Sequence, residues 1–211
     1  MNKDRVITYI DGFNLYFGLR QKKWSKYYWL NLQALSMSLL KPDQQLMRTK
    51  YFTSRVKDNI NKAKRQNTFI EALETLSDFD IFYGKYQLNS FSCRRCGEIN
   101  PSPNEKMTDV NIAVELLCDA FQNNYDTAIL ISGDSDLIPP IDIIHRLFPH
   151  KRVCVAFPPE RYNRSMEVTL RSSTPKVINS GGSINPVRNS FEGARYPVQR
   201  FYNRGDWSGH P

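Results

Sequence analysis

The chain has 211 residues, enough for one well-buried core, so a single domain plus a tail is the starting point. With 40% hydrophobic and 24% charged residues it has the composition of an ordinary globular protein, which excludes wholesale disorder and fibrous repeats. Its formal net charge of +8 suggests attraction to a polyanion such as nucleic acid or an acidic membrane surface.

The opening MNKDRVITYIDG has a short apolar run that soon meets an Asp, unlike the longer apolar core of a secretory signal. No window approaches the roughly twenty apolar residues of a membrane span. The expectation is a cytoplasmic protein with no membrane partner. Cys118, in a helical pattern, and Cys154, in a strand pattern, read as small buried thiols in a reducing compartment.

Taken in order, Arg5 to Ile10 reads as a first strand, Gly12 to about Lys22 and Asn31 to Leu40 as helices, and Leu46 to Val56 as holding the second strand. Asp58 to Ser77 carries Ile60, Phe69, Leu73 and Leu76 on a charged background, the pattern of a surface helix with a core stripe. Phe79 to Gln87 is the third strand. The segment 88–104, with Cys93, Cys96, Gly97, Pro101 and Pro103, has the composition of a loop. Val110, Ala113, Val114, Leu117 and Phe121 then predict a helix that buries this face.

Thr127 to Ile131 is a fully apolar strand, followed by the turn Ser132-Gly133-Asp134-Ser135-Asp136. Pro139 and Pro140 fit the first turn of a last helix, and Arg152 to Phe157 is a last strand. Strands alternating with helices predict an α/β fold on a mainly parallel sheet. The domain is expected to span 1–178, with 179–211 a flexible basic tail too poor in apolar residues to order itself.

In such sheets, sites form beyond the carboxyl ends of the strands. Asp11 ends the first strand, Asp134 and Asp136 follow the Thr127 to Ile131 strand, and Asp109 opens a helix that a short loop could bring to the same edge. A single Asp in such a place is ordinarily a helix cap or turn residue, and Asp109 is the member most easily read as a cap alone. Four together are different. They repel and raise one another's pKa unless a cation compensates, and an all-oxygen set suits Mg²⁺ or Mn²⁺ rather than zinc. Such a metal activates water against a phosphodiester. Asn14 could orient that water, and Ser132 and Ser135 offer hydroxyls to substrate.

The segments Tyr9-Ile10-Asp11-Gly12-Phe13-Asn14-Leu15, Glu105-Lys106-Met107-Thr108-Asp109-Val110 and Ile131-Ser132-Gly133-Asp134-Ser135-Asp136 resemble the three motifs of the NYN family, most of all its LabA-like branch. The resemblance covers roughly residues 5 to 178. It implies a PIN-like three-layer fold with strand order 3-2-1-4-5, dependence on Mg²⁺ or Mn²⁺, and RNA as substrate, with DNA an open alternative. Asp11, Asp109, Asp134 and Asp136 match the family's acidic, metal-holding positions, and Asn14 matches its polar companion.

Cys93-x-x-Cys96 is half of a zinc knuckle without a second ligand pair nearby in sequence, so a structural zinc is a minor expectation. Lys22 and Lys23 open a stretch that interleaves lysines with Trp24, Tyr27, Tyr28 and Trp29, the mixture that grips phosphates and stacks bases, or else packs under the next helix. Lys106 is a further candidate phosphate contact. The expected function is a metal-dependent ribonuclease. Two rivals stand beside it: a noncatalytic RNA-binding module, and a haloacid-dehalogenase-like phosphatase, whose second Asp is replaced here by Phe13. A dimer stays open.

Overall fold

The computed structural model describes residues 3–57, 59–92, 95–97 and 99–167. In chain order its elements are β1 (Asp4–Asp11), α1 (Gly12–Gln21), α2 (Leu32–Ser38), β2 (Gln44–Thr53), α3 (Ile60–Leu73), β3 (Phe79–Tyr83), β4 (Lys85–Ser92), β5 (Ile99–Lys106), α4 (Thr108–Phe121), β6 (Thr127–Ile131), α5 (Ile138–Leu147) and β7 (Arg152–Val155). Short 3-10 turns lie at Ser25–Tyr27 and Ser135–Leu137.

Five strands form one parallel sheet in the order β3-β2-β1-β6-β7. Counting only these strands, the order is the expected 3-2-1-4-5. β1 is central, with Ile10 opposite Ile131 of β6 and Asp11 opposite Phe52 of β2. Its side chains alternate between two cores, as the pleat requires. Val6 and Ile10 pack with Leu15, Leu19, Leu32 and Leu73 under α1, α2 and α3, whereas Ile7 and Tyr9 pack with Ile112, Leu116, Ile141 and Ile144 under α4 and α5. The result is three layers with both sheet faces covered, which is why the strands read as continuous apolar runs.

Five expectations need correction. The strand starting at Phe79 stops at Tyr83, where Gly84 N–H turns to the Thr53 carbonyl at 2.7 Å. The segment expected to be a loop is a β-hairpin, β4 against β5, paired from Lys85–Lys106 to Ser92–Ile99. Pro101 and Pro103 argue against a strand inside a sheet, but each strand of a two-stranded ribbon keeps one open edge where a proline removes no ladder bond. Third, α4 buries Ile112, Leu116, Asp119 and Ala120 rather than the expected stripe, leaving Val110 (60%), Val114 (50%) and Phe121 (67%) exposed. Cys118 is also exposed, and Ile60 of α3 points outward.

The face of α4 is chosen by a buried ion network. Lys50 Nζ on β2 lies 2.7 Å from both Glu115 Oε2 and Asp119 Oδ2, and Tyr9 on β1 donates its hydroxyl to Asp119 Oδ2 at 2.5 Å. Burial works against the lysine's charge, but its bonds to Asp119 and Glu115 prevail and hold its pKa above the ordinary value. At the opposite end of the sheet, Arg5 binds Asp126 through its backbone N–H and guanidinium, which brings that carboxyl down to about 2.

Among the described residues, no helix is long and apolar enough to cross a membrane. Cys93 and the expected tail, 179–211, lie outside the described residues.

Lys50→Met is expected to destabilise the protein by about 3–5 kcal/mol, because it strands a buried carboxylate, in urea unfolding. Adding Asp119→Leu should recover a good part of that loss, and a double variant as unstable as the single one would refute the network's role.

Candidate active site

The carboxyl ends of β1 and β6 are neighbours, and the chain turns sharply after each. β1 runs directly into α1 because residue 12 is glycine: a Cβ there would lie 2.6 Å from the Tyr51 ring and 2.7 Å from the Phe52 carbonyl. The turn after β6 has the same need at Gly133, where a Cβ would collide with the Arg161 carbonyl oxygen. Both motif glycines let backbones approach where any side chain would push the acids apart.

Asp11 is buried, only 4% exposed. Its Oδ1 caps α1 by accepting the Asn14 N–H at 3.0 Å, and its Oδ2 accepts the Ser132 hydroxyl at 2.9 Å. That hydroxyl oxygen in turn accepts the Asp134 N–H at 3.1 Å. Asn14 Oδ1 accepts the Gly133 N–H at 3.1 Å, so α1 and the 132–136 turn are clasped from both sides. Asp134, half-buried, caps the following 3-10 turn by accepting the Asp136 N–H at 3.0 Å, and Asp136 is exposed. Asp109 sits in the first turn of α4, half-buried, and is not its N-cap residue. The residue before that helix is Met107, in the left-handed conformation at φ 76°, and it makes no capping bond.

Asp11 and Asp109 feel the acids around them. Burial raises the Asp11 carboxyl to about 6, against the lowering effect of the Asn14 N–H and the Ser132 hydroxyl, and the charges of Asp109 and Asp134 push the same way as burial. Asp109 is also raised, by burial first and then by Asp134 and Asp136. Among the described residues no three acid, imidazole or thiol groups are close enough to grip one ion directly. The carboxylate-only donor set nevertheless fits a hard divalent cation, above all one that keeps part of its water shell.

Of the other expected residues, Ser132 is fully buried between Asp11 and Asp134, a positioning group rather than a surface hydroxyl. Ser135 and Lys106 are exposed, beside Asp134 and three residues before Asp109 respectively. Lys22 and Lys23 follow the far end of α1, about 15 Å along the axis from Asp11. The Lys22 amine is engaged by Glu160 at 2.6 Å. Cys96 is exposed.

Sequence reasoning missed the 158–163 segment. Asn163 donates to the Gly133 carbonyl at 3.1 Å, and Arg161 packs on Gly133 with its Nε buried and unpartnered among the described residues. No spacing signal links positions nearly thirty residues beyond the turn to it. Missed too was a cavity of about 510 Å³ whose wall includes Gly12 and Phe13, the two residues after Asp11. Tyr16, Phe17, Tyr28, Trp29 and Phe69 continue that wall.

A match to a family model over residues 5–180 supports a nuclease-like, PIN-like fold for this parallel 3-2-1-4-5 sheet. The chain belongs to that family, the NYN domain family. It is 28% identical over 200 residues to 6-hydroxy-3-succinoylpyridine 3-monooxygenase of Pseudomonas putida, an alignment covering 79% of this chain. The chain spans 63% of that relative's length. A crystal structure of a Vibrio parahaemolyticus protein of unknown function shares the fold at 20% identity and a TM-score of 0.54, covering 84% of this chain and 94% of the other.

A carboxyl whose folded pKa is about 6 rather than 3.8 favours folding below the unfolded value and loses that contribution as pH rises through 6, on the order of 3 kcal/mol in all. Asp11 therefore makes metal-free protein melt higher at pH 5 than at pH 7. The His145 imidazole, lowered by burial, acts in the opposite sense within the same window, so the Asp11 contribution is read as the difference between the parent and Asp11→Asn. The Asp126 carboxyl, which acts in the opposite sense, titrates below this window. Asp11→Asn should raise the melting temperature at pH 7 and flatten the pH dependence; a variant that melts lower than the parent at pH 7 would contradict the assignment.

Proposed function

We propose that the protein is a metal-dependent ribonuclease that hydrolyses RNA phosphodiester bonds. The observation that supports this most directly is that Asp11 is buried and fixed by two donors although its charge is disfavoured there, by burial and by the charges of Asp109 and Asp134 from two other segments. Asp11, Asp109, Asp134 and Asp136 would hold Mg²⁺ or Mn²⁺, directly or through water. When bound, the cation supplies Lewis-acid polarisation of a phosphoryl oxygen and activation of water.

The chain's own residues do the positioning. Asn14 and Ser132 lock the 132–136 turn against Asp11, so the acids are preorganised and need little rearrangement on binding. Lys106 and Ser135, both exposed, would meet phosphate oxygens near the cut. Lys22 and Lys23, at the far end of α1, would meet an RNA backbone away from the scissile bond.

The Pseudomonas relative carries a second reading, chemistry on a small pyridine, which the aromatic-walled cavity favours. The two separate cleanly. On labelled RNA with Mg²⁺ or Mn²⁺ the parent is expected to cut without any reductant, and Asp134→Asn should lower the rate by about two orders of magnitude, the scale of losing several kcal/mol of transition-state stabilisation. Equal rates in the two proteins would remove the nuclease proposal, and reductant-dependent oxygen uptake with a hydroxypyridine would install the second reading.

A further inference from the structure

The cavity beside Asp11 has a chemistry of its own. Its size, about 510 Å³, lies within the range of small-ligand pockets. Its aromatic wall is graded from the interior to the surface. Tyr51, at the base, is buried with its ring 6.3 Å from that of Phe69, and Phe69 is 6.0 Å from Trp29. Towards the solvent, Tyr16 lies 5.3 Å from Tyr28 and 5.4 Å from Phe17. Tyr16 and Phe17 remain 42% and 40% exposed, although neighbouring aromatics on α1 could have turned inward.

Three cations, Arg20 on α1 and Lys62 and Arg65 on α3, line the same cavity, and all three are exposed. Gln66 is not available to a ligand, since its side chain binds Val56 N–H, Ser54 O and Thr53 Oγ1. The lining is a set of π faces edged by positive charge. That combination holds a flat ring carrying an anion and does little to distinguish one ring from another.

Gly12 belongs both to this wall and to the turn that follows Asp11, so the cavity and the candidate acid site adjoin through that residue. We infer that the cavity is a base-stacking subsite for one nucleotide of single-stranded RNA, with Arg20, Lys62 and Arg65 on its backbone. The choice of a nucleotide rests on the ribonuclease reading. The subsite sets how the strand is registered on the acids and accepts any base.

Full-length protein in EDTA, titrated with adenosine and uridine 5′-monophosphate and followed by tryptophan fluorescence, tests this. Both nucleotides are expected to bind within a few-fold of each other, and ribose 5-phosphate, which lacks a base, at least about ten-fold more weakly. Tyr16→Ala should weaken both nucleotides about ten-fold and raise KM on labelled RNA while leaving kcat near the parent value; Tyr16→Phe should restore both. Arg65→Gln should weaken adenosine monophosphate but not adenosine.

Salicylate binding more tightly than either nucleotide, or Tyr16→Ala binding and cutting like the parent, would overturn the inference. The outcomes separate the two claims. Nucleotide binding as described without any RNA cleavage defeats the ribonuclease reading alone, and cleavage with an unresponsive Tyr16 defeats the base subsite alone.

Discussion

Placing negative charge where water is scarce is the constraint around which this molecule is organised. Asp11 emerges from the central strand of a parallel sheet into a buried position, and burial makes its ionised form costly. Two hydrogen bonds offset part of that penalty, from the Asn14 N–H and the Ser132 hydroxyl, and both donors belong to turns that begin where a strand ends. The acids across from it increase the penalty instead of relieving it. A site of this kind is stable enough to form, yet the charge of Asp11 stays disfavoured there.

The scaffold meets its charges differently elsewhere. Lys50, Glu115, Asp119 and Tyr9 form a closed network in which each buried charge has a partner, and the network joins α4 to the two central strands. Asp109 stands on the same helix as Glu115 and Asp119. The closed network therefore anchors the helix that carries one of the four acids. Arg5 and Asp126 tie the other end of the sheet, where no chemistry is expected and a surface pair suffices.

Around the acids the surroundings divide by character. On the α4 side lie charged and polar groups; on the α1 side, aromatic rings with basic residues at their edge. A chain with net charge +8 presents a polyanion with net attraction. The exposed Val110, Val114 and Phe121 of α4 belong to neither region.

Much of the site was legible in the sequence because its acids sit at strand ends, and strand ends can be read from apolar runs and the turn residues after them. Asp11, Asp134 and the alternating order of strands and helices follow from local pattern alone, as does the sheet order once the motifs are compared with the family. Tertiary structure decided what depends on partners far along the chain. Which stripe of α4 faces inward turned on Lys50, more than fifty residues away, since the helix carries two apolar stripes and periodicity cannot choose between them. Asp109, which reads locally as a cap, is not the N-cap residue of α4. The hairpin at 85–106 was hidden by prolines that an open edge tolerates. Arg161, Asn163 and the aromatic cavity were invisible for the same reason: they owe their place to backbone contact at glycines, and a sequence records that a glycine is present but not what approaches it.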